Sequence, residues 1–318
     1  MENQEKPPKK TTDIGAYAEE NYFLQHTEKF SRLLPNLKSS FSIKSSLIKK
    51  VLNAGNDIKG IRFMFGLEDE FNPNSVRILL VPAGSSNDYA EPRFTFLTEQ
   101  GYLDHLGVSH NIFNTCELVS SFVKNVKKEL PELNYKEITR GGFLGKNSLL
   151  DLVERHDCKE VELHFGYKNS NEIIPIFEPF NELDGPYMNF SQPCPNACDG
   201  YDPETGEDWC IDTNAVYSNS THEELDNHRF FRDNYLLDLN DGEIFYEMYY
   251  FVSPMVSYLI SKEENSDLIL KKIYKEKIRP FNELLNKEAY DEALVVLKDT
   301  LAEWVNIYQS RDFHYSEV

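Results

Sequence analysis

The chain has 318 residues, 40% hydrophobic and 13% aromatic, enough to bury a core in one to three domains. Its 33 Lys and Arg against 53 Asp and Glu leave a formal net charge of −20, which repels phosphate backbones and sets nucleic acid aside as the main partner. A basic protein partner or a cation suits that charge better.

The first stretch, MENQEKPPKKTTD at residues 1–13, is polar and carries no apolar run. It reads as a disordered N-terminus, neither a signal peptide nor a lipidation site, and implies a cytoplasmic protein. In that reducing setting five cysteines serve as thiols or metal ligands more readily than as disulfides.

Beyond residue 13 the chain repeats itself. LPNL at 34–37 returns as LPEL at 130–133, FSIKSSL at 41–47 as FLGKNSL at 143–149, and KGIRFMFG at 59–66 as KEVELHFG at 159–166. A second apolar run follows each, VRILLVP at 76–82 and EIIPIF at 172–177. The conserved order and spacing imply two α+β repeats, 14–108 and 109–198. Helices around 14–34 and 109–130 end at Leu-Pro, where proline disfavours helix in the residue before it. Ile61, Phe63 and Phe65, and Val161, Leu163 and Phe165, alternate with other residues in the period of a strand buried on one face. EDEFNPNS and KNSN close hairpins. The expected fold class is therefore α+β, a duplicated helix-helix-hairpin unit followed by an all-helical C-terminal domain.

RGGFLGKNS at 140–148 imitates a phosphate-binding loop, but Arg140 stands where the first glycine is required and Asn147 where a hydroxyl would hold magnesium. Aligning the repeats sets Lys146 on Lys44, which follows no glycine loop.

Two resemblances rest on these residues. KGIRFMFG with ILLVP, closed by SQPCPNAC after the second copy, resembles small bacterial proteins of unknown function that carry one G-I-R-x-x-F-G unit with a C-P-x-x-C-like ending. Further on, Cys210, Ala215 and Tyr217 of CIDTNAVYS, then RFFRDNYL at 229–236 and YYFVSP at 249–254, resemble in order the bacterial CFI-box C-terminal domain. Neither resemblance implies an activity.

Between the repeats and the tail lies a junction, 199–222, next to NFSQPCPNACDGYDPETGEDWCIDTNAVY at 189–217. Cys194, Cys198 and Cys210 with His222 or His228 supply the thiolate and imidazole ligands of a closed structural zinc site, although idle thiols or a disulfide also fit the spacing. From Glu182 to Glu247 there are 16 Asp and Glu against Arg229 and Arg232, and Asp199, Asp202, Glu204, Glu207 and Asp208 form the densest part of a candidate acidic interaction surface. DLNDGEIFYE at 238–247 fails the calcium-loop register, so Gly242 reads as a turn between helices.

The rest, 223–318, is expected to be helical. IFYEMYYFVSPMVSYLI at 244–260 is too short and too charged for a membrane span and reads as a buried helix kinked or broken at Pro254. Tyr290, Leu294, Leu297, Leu301, Trp304 and Tyr308 form one apolar helical stripe. His156 and Cys158 are the nearest approach to a catalytic pair, and they read as structural. These features suggest a non-catalytic interaction or adaptor protein offering an acidic surface to a protein partner. The competing reading is a metal-dependent or thiol enzyme centred on Cys194, Cys198 and Cys210.

Overall fold

The computed structural model describes residues 10–85, 94–96, 98, 101–154, 158–168, 172–179, 187–189, 192–193, 222–239 and 241–308. The first half runs β1 (Ala16–Ala18), α1 (Glu20–Leu33), β2 (Ser40–Lys44), α2 (Ser45–Leu52), β3 (Gly60–Leu67), β4 (Val76–Gly84), a short β5 (Phe94–Thr95) and β6 (Tyr102–Asp104). The second runs β7 (Ser109–His110), α3 (Ile112–Glu129), β8 (Gly141–Gly145), α4 (Lys146–Glu154), β9 (Glu160–Tyr167), β10 (Ile173–Pro179), β11 (Tyr187–Asn189) and β12 (Gln192–Pro193). Mixed helix and sheet is thus the architecture, and each half has more strands than a hairpin.

Pairing of these strands crosses between the halves. One sheet has the order β1-β11-β10-β9-β2, and the other includes β8-β3-β4-β6-β7, with β12 beyond β8. In each sheet three adjacent strands of one half are therefore flanked on both sides by strands of the other. Single contacts recur in counterpart positions: Ser45 N donates to Lys159 O and Lys146 N to Lys59 O, while Phe65 N donates to Arg140 O and Phe165 N to Ser39 O. In this register Lys146 stands with Ser45, one residue away from the Lys146–Lys44 alignment of the sequences. The buried faces of the two short helices obey the same register: Ile48, Val51 and Leu52 on α2, Leu149, Leu152 and Val153 on α4.

The two sheets meet through aromatic rings, Phe65 against Phe165 at 4.6 Å and Phe63 against Phe177 at 4.7 Å between centroids. Each such pair is worth about 0.5–1.5 kcal/mol beyond the burial of its area. On β9 the expected alternation holds, with Val161, Leu163 and Phe165 buried and Glu162 and His164 half-buried. On β3 it weakens, because Met64 is buried as well as Ile61, Phe63 and Phe65. The two helices that precede these hairpins end as expected: Leu34 N donates to Phe30 O before Pro35, and Leu130 N to Val126 O before Pro131.

Three expectations need correction here. Thr11–Asp13 forms a 3-10 turn with Thr11 fully buried, so these three residues are not part of a disordered N-terminus. The first helix begins only at Glu20, because Ala16–Ala18 is a strand on β11. The helix-helix-hairpin unit gains a strand before each second helix, SFSIK and GGFLG, since their backbone groups pair with the other half's hairpin.

Every described element from His222 onward is helical: α5 (His222–Phe230), continued by π and 3-10 turns to Asp238, then α6 (Gly242–Ser261), α7 (Ser266–Ile273) leading through a π turn into α8 (Arg279–Leu285), and α9 (Tyr290–Tyr308). Gly242 marks the turn, where an added Cβ would lie 1.6 Å from Leu236 O. The α6 helix runs unbroken through Pro254, with Tyr249 and Phe251 buried and Tyr250 half-buried. Its residues share one core with the sheets, and Leu301 and Trp304 of α9 complete that core. Among the described residues no helix is long and apolar enough to cross a membrane.

Candidate functional site

Two places concentrate charge and hydrogen-bonding capacity. One is sealed and holds the helices to the second half. Arg140, just before β8, and Glu247 on α6 are 3% and 1% exposed. Arg140 Nε lies 3.1 and 3.2 Å from the two Glu247 oxygens and Nη2 lies 3.0 Å from Oε1. Nη1 donates to the carbonyls of Tyr135, Lys136 and Ile138. Tyr135 Oη donates to Glu247 at 3.1 Å, so the carboxylate is shared by two donors. Burial works against the guanidinium charge, yet Glu247 beside it raises the Arg140 pKa above its ordinary value. Burial, reinforced by Glu247, pushes the Cys116 thiol well up.

Lys124 with Glu243 at 3.2 Å and Lys136 with Asp233 at 3.1 Å extend the clamp. Three acids of the supposed acidic surface, Asp233, Glu243 and Glu247, are thus paired with cations of the second half. Sequence counting treats every acid alike; only the fold brings Arg140 to Glu247.

The other place is open. A cleft of about 550 Å³ is lined by Ser42, Lys44, Ser46, Leu47, Lys50, His105, Leu106, Gly107 and Glu160. Its floor includes the start of α2, where Lys44 occupies the N-cap position and no side chain caps the helix. Its wall is the joint between the halves, a turn built by Asp104: one carboxylate oxygen accepts from the amides of Leu106 and Val108 at 2.9 Å, and the other lies 3.2 Å from His110 Nε2. Gly107 adopts φ +86°, a conformation few other residues take without strain.

His105 is 6% exposed and accepts from Ile78 N at Nδ1, at 3.2 Å. That bond leaves the ring proton on Nε2, which has no partner among the described residues, and the ring lines the cleft. Burial drives the His105 pKa down to about 4 against the pull of Asp104, with Lys38 and Arg77 adding to the drop. The imidazole is therefore a neutral donor near pH 7. Glu160 accepts from Ser42 at 2.9 Å and stands opposite Lys44 in the strand register. Lys44 and Lys50 outnumber it.

A half-buried cluster, Glu162, His164 and Glu178, brings one ligand atom from each residue within 4.8 Å of the others, but His164 Nε2 and Glu178 already satisfy each other at 3.1 Å. None of the metal ligands read from the sequence belongs to it. Cys194, Cys198 and Cys210, and the acidic residues Asp199, Asp202, Glu204, Glu207 and Asp208, lie outside the described residues, as does His156. His222 begins α5, and His228 on the same helix is buried edge-on against Phe281 at 4.7 Å. Cys158 is buried and donates to Glu160 O at 2.9 Å, as expected for a structural thiol.

Reading from the sequence misses the cleft altogether. Its single signal is the lone LDHLGVSH stretch at 103–110, whose Asp and Gly mark a turn without showing what faces it. No family model matches the chain, and no curated protein or solved structure resembles it significantly.

Proposed function

We propose that this chain is a non-catalytic interaction protein, assembled from two copies of one unit that exchange their flanking strands, with a helical C-terminal domain of CFI-box type. The reciprocal bonds of Ser45 and Lys146, and of Phe65 and Phe165, support the duplication. For the helical domain, support comes from the packing of its two quoted segments: Tyr250 packs against the buried cluster that holds Phe231 and Leu236, and Arg232 lies 5.5 Å from the Tyr250 ring.

One observation carries the interaction reading. The turn before β1 closes onto the start of α4, whereas the corresponding turn before β7 leaves a cleft over the start of α2. Asn147 in the first turn of α4 donates to Thr12 and Asp13, and Gly145 N donates to Ile14 O. At α2 that place is open, rimmed by Leu106, which is 61% exposed. A partner seated there would bury an apolar rim and engage charges already in place. The acidic residues 199–208 belong to the same proposal as a surface for a basic partner.

A photoreactive amino acid at position 106 should crosslink the full chain to a partner in the native host's extract, whereas the same group at Phe71, 86% exposed and remote from the cleft lining, should not. Equal adducts at both positions, or none at 106, would remove the cleft as the docking place.

A further inference from the structure

We infer that the cleft at α2 takes the carboxylate side chain of an acidic peptide segment. This rests on the cleft being a docking place and names what docks.

The comparison of the two helix starts is residue by residue. Tyr17 lies opposite Met188 as Ser109 lies opposite Leu103, and Met188 and Leu103 lie opposite Phe177 and Leu80. Counting back from those pairs sets Gly15 with Gly107 and Asp13 with His105. Both glycines have positive φ, +143° and +86°, although the two values differ, so the turns correspond in position and not in detailed conformation. In the second half the chain supplies its own anion: Asp13 accepts from Asn147 at 2.7 Å in the first turn of α4. In the first half the matching position holds a donor, His105; Glu160 is the carboxylate of the lining, held by Ser42 and outnumbered by Lys44 and Lys50.

What remains at α2 is a set of groups that suit a negative charge. The N-terminus of an eight-residue helix directs partial positive charge outward and carries no capping side chain. Ser42 and Ser46, on either side of the helix start, line the cleft with their hydroxyl-bearing side chains. His105, more than nine-tenths buried, lines the cleft and offers Nε2–H as a neutral donor to an acceptor that enters it. Lys44 makes no ion pair among the described residues, and Lys50 also lines the cleft. Leu47 and Leu106 add apolar wall beside these groups, which an inorganic ion would leave exposed and a peptide would cover. The occupant is therefore opposite in sign to the partner that the overall charge of −20 suggests.

The test uses the full chain and a capped pentapeptide, Thr-Thr-Asp-Ile-Gly, copied from the turn that covers α4. Titration calorimetry and the His105 ring resonances should report one saturable site. Replacing Asp by Asn in the peptide, or Lys44→Ala in the chain, should weaken binding by about ten-fold or more, as expected for losing a charge-assisted contact. Phe71→Ser, on the exposed β3–β4 turn, should leave affinity unchanged. Equal binding of the Asn peptide, no saturable binding, or unchanged affinity in the Lys44→Ala chain would overturn the inference. So would succinate or inorganic phosphate binding as tightly as the peptide, which would show that a free small anion is the ligand. If crosslinking at position 106 still captures a partner while the Asp peptide fails, the acidic ligand falls and the docking place stands.

Discussion

Removing one side of the Arg140–Glu247 pair should be among the costliest single changes this protein can undergo. Arg140→Met strips Glu247 of the guanidinium bonds at 3.0 to 3.2 Å and leaves Tyr135 as its remaining donor. It also takes a donor from the carbonyls of Tyr135, Lys136 and Ile138. A buried charge left without its partner costs about 3–5 kcal/mol. At about 2–4 °C per kcal/mol for a chain of this order of size, the melting temperature should fall by roughly 10 °C. Glu247→Gln should cost a similar amount, now by stranding the cation. The double variant Arg140→Met with Glu247→Met replaces both charges by apolar groups of similar length, and a buried ion pair is often no more stable than such a replacement. Its destabilisation should therefore be smaller than the sum of the singles by at least about 2 kcal/mol, a coupling readable from chemical denaturation of the four proteins. If the single changes cost less than about 1 kcal/mol each, or add within about 0.5 kcal/mol, the clamp is not the linkage described.

The pKa of His105, down to about 4, gives its pH dependence a definite sign. The unfolded chain takes up this proton near pH 6.5 and the folded chain only near 4, so acidification through that window destabilises the fold. His105→Phe should remove at most about 3 kcal/mol of that loss, and parallel stability curves for the two proteins would contradict the buried neutral ring. Asp104→Ala deprives the Leu106 and Val108 amides of their acceptor and should cost about 1–3 kcal/mol in denaturation; a smaller loss would mean that the joint is held by something else. Cys116, with its thiol pushed well up, should resist alkylation at pH 8 in the native protein, and fast modification there would show that it is not sealed. The isolated fragment 14–108 lacks the strands that flank β3 and β6 and should self-associate through those edges, whereas a folded monomer by light scattering would show that exchange is dispensable.

Much of the fold is legible in the sequence where one side chain period dominates. Val161, Leu163 and Phe165 announce β9, and Leu-Pro announces the ends of α1 and α3, because these are local consequences of burial and of proline. The exchange of strands is not local. SFSIK and GGFLG are five residues each, too short to separate from the helices behind them, and nothing in either stretch states that its partner lies in the other half. The same limit hides the clamp: Arg140 reads as a failed glycine and Glu247 as one acid among many, until they meet across 107 positions of chain. The cleft is harder still, since it is defined by the space between a helix start and a turn.

The crossed strand pairing also explains where the two halves can differ. The strands shared between the halves have little freedom: changing β2 or β8 affects a sheet built mainly from the other half. The segments before β1 and β7 carry no such double duty, because each turns outside the sheets before its strand begins. There the two halves differ in chemistry. One turn brings Asp13 to Asn147 and closes. The other brings His105 beside Lys44 and Lys50 and stays open. The covered face of β3, on which Met64 is buried, and the half-open face of β9, on which Glu162 and His164 are not, show the same pattern on a larger scale. The crossed strands hold both halves together while one turn stays open, so that turn is where binding can arise without loss of the fold.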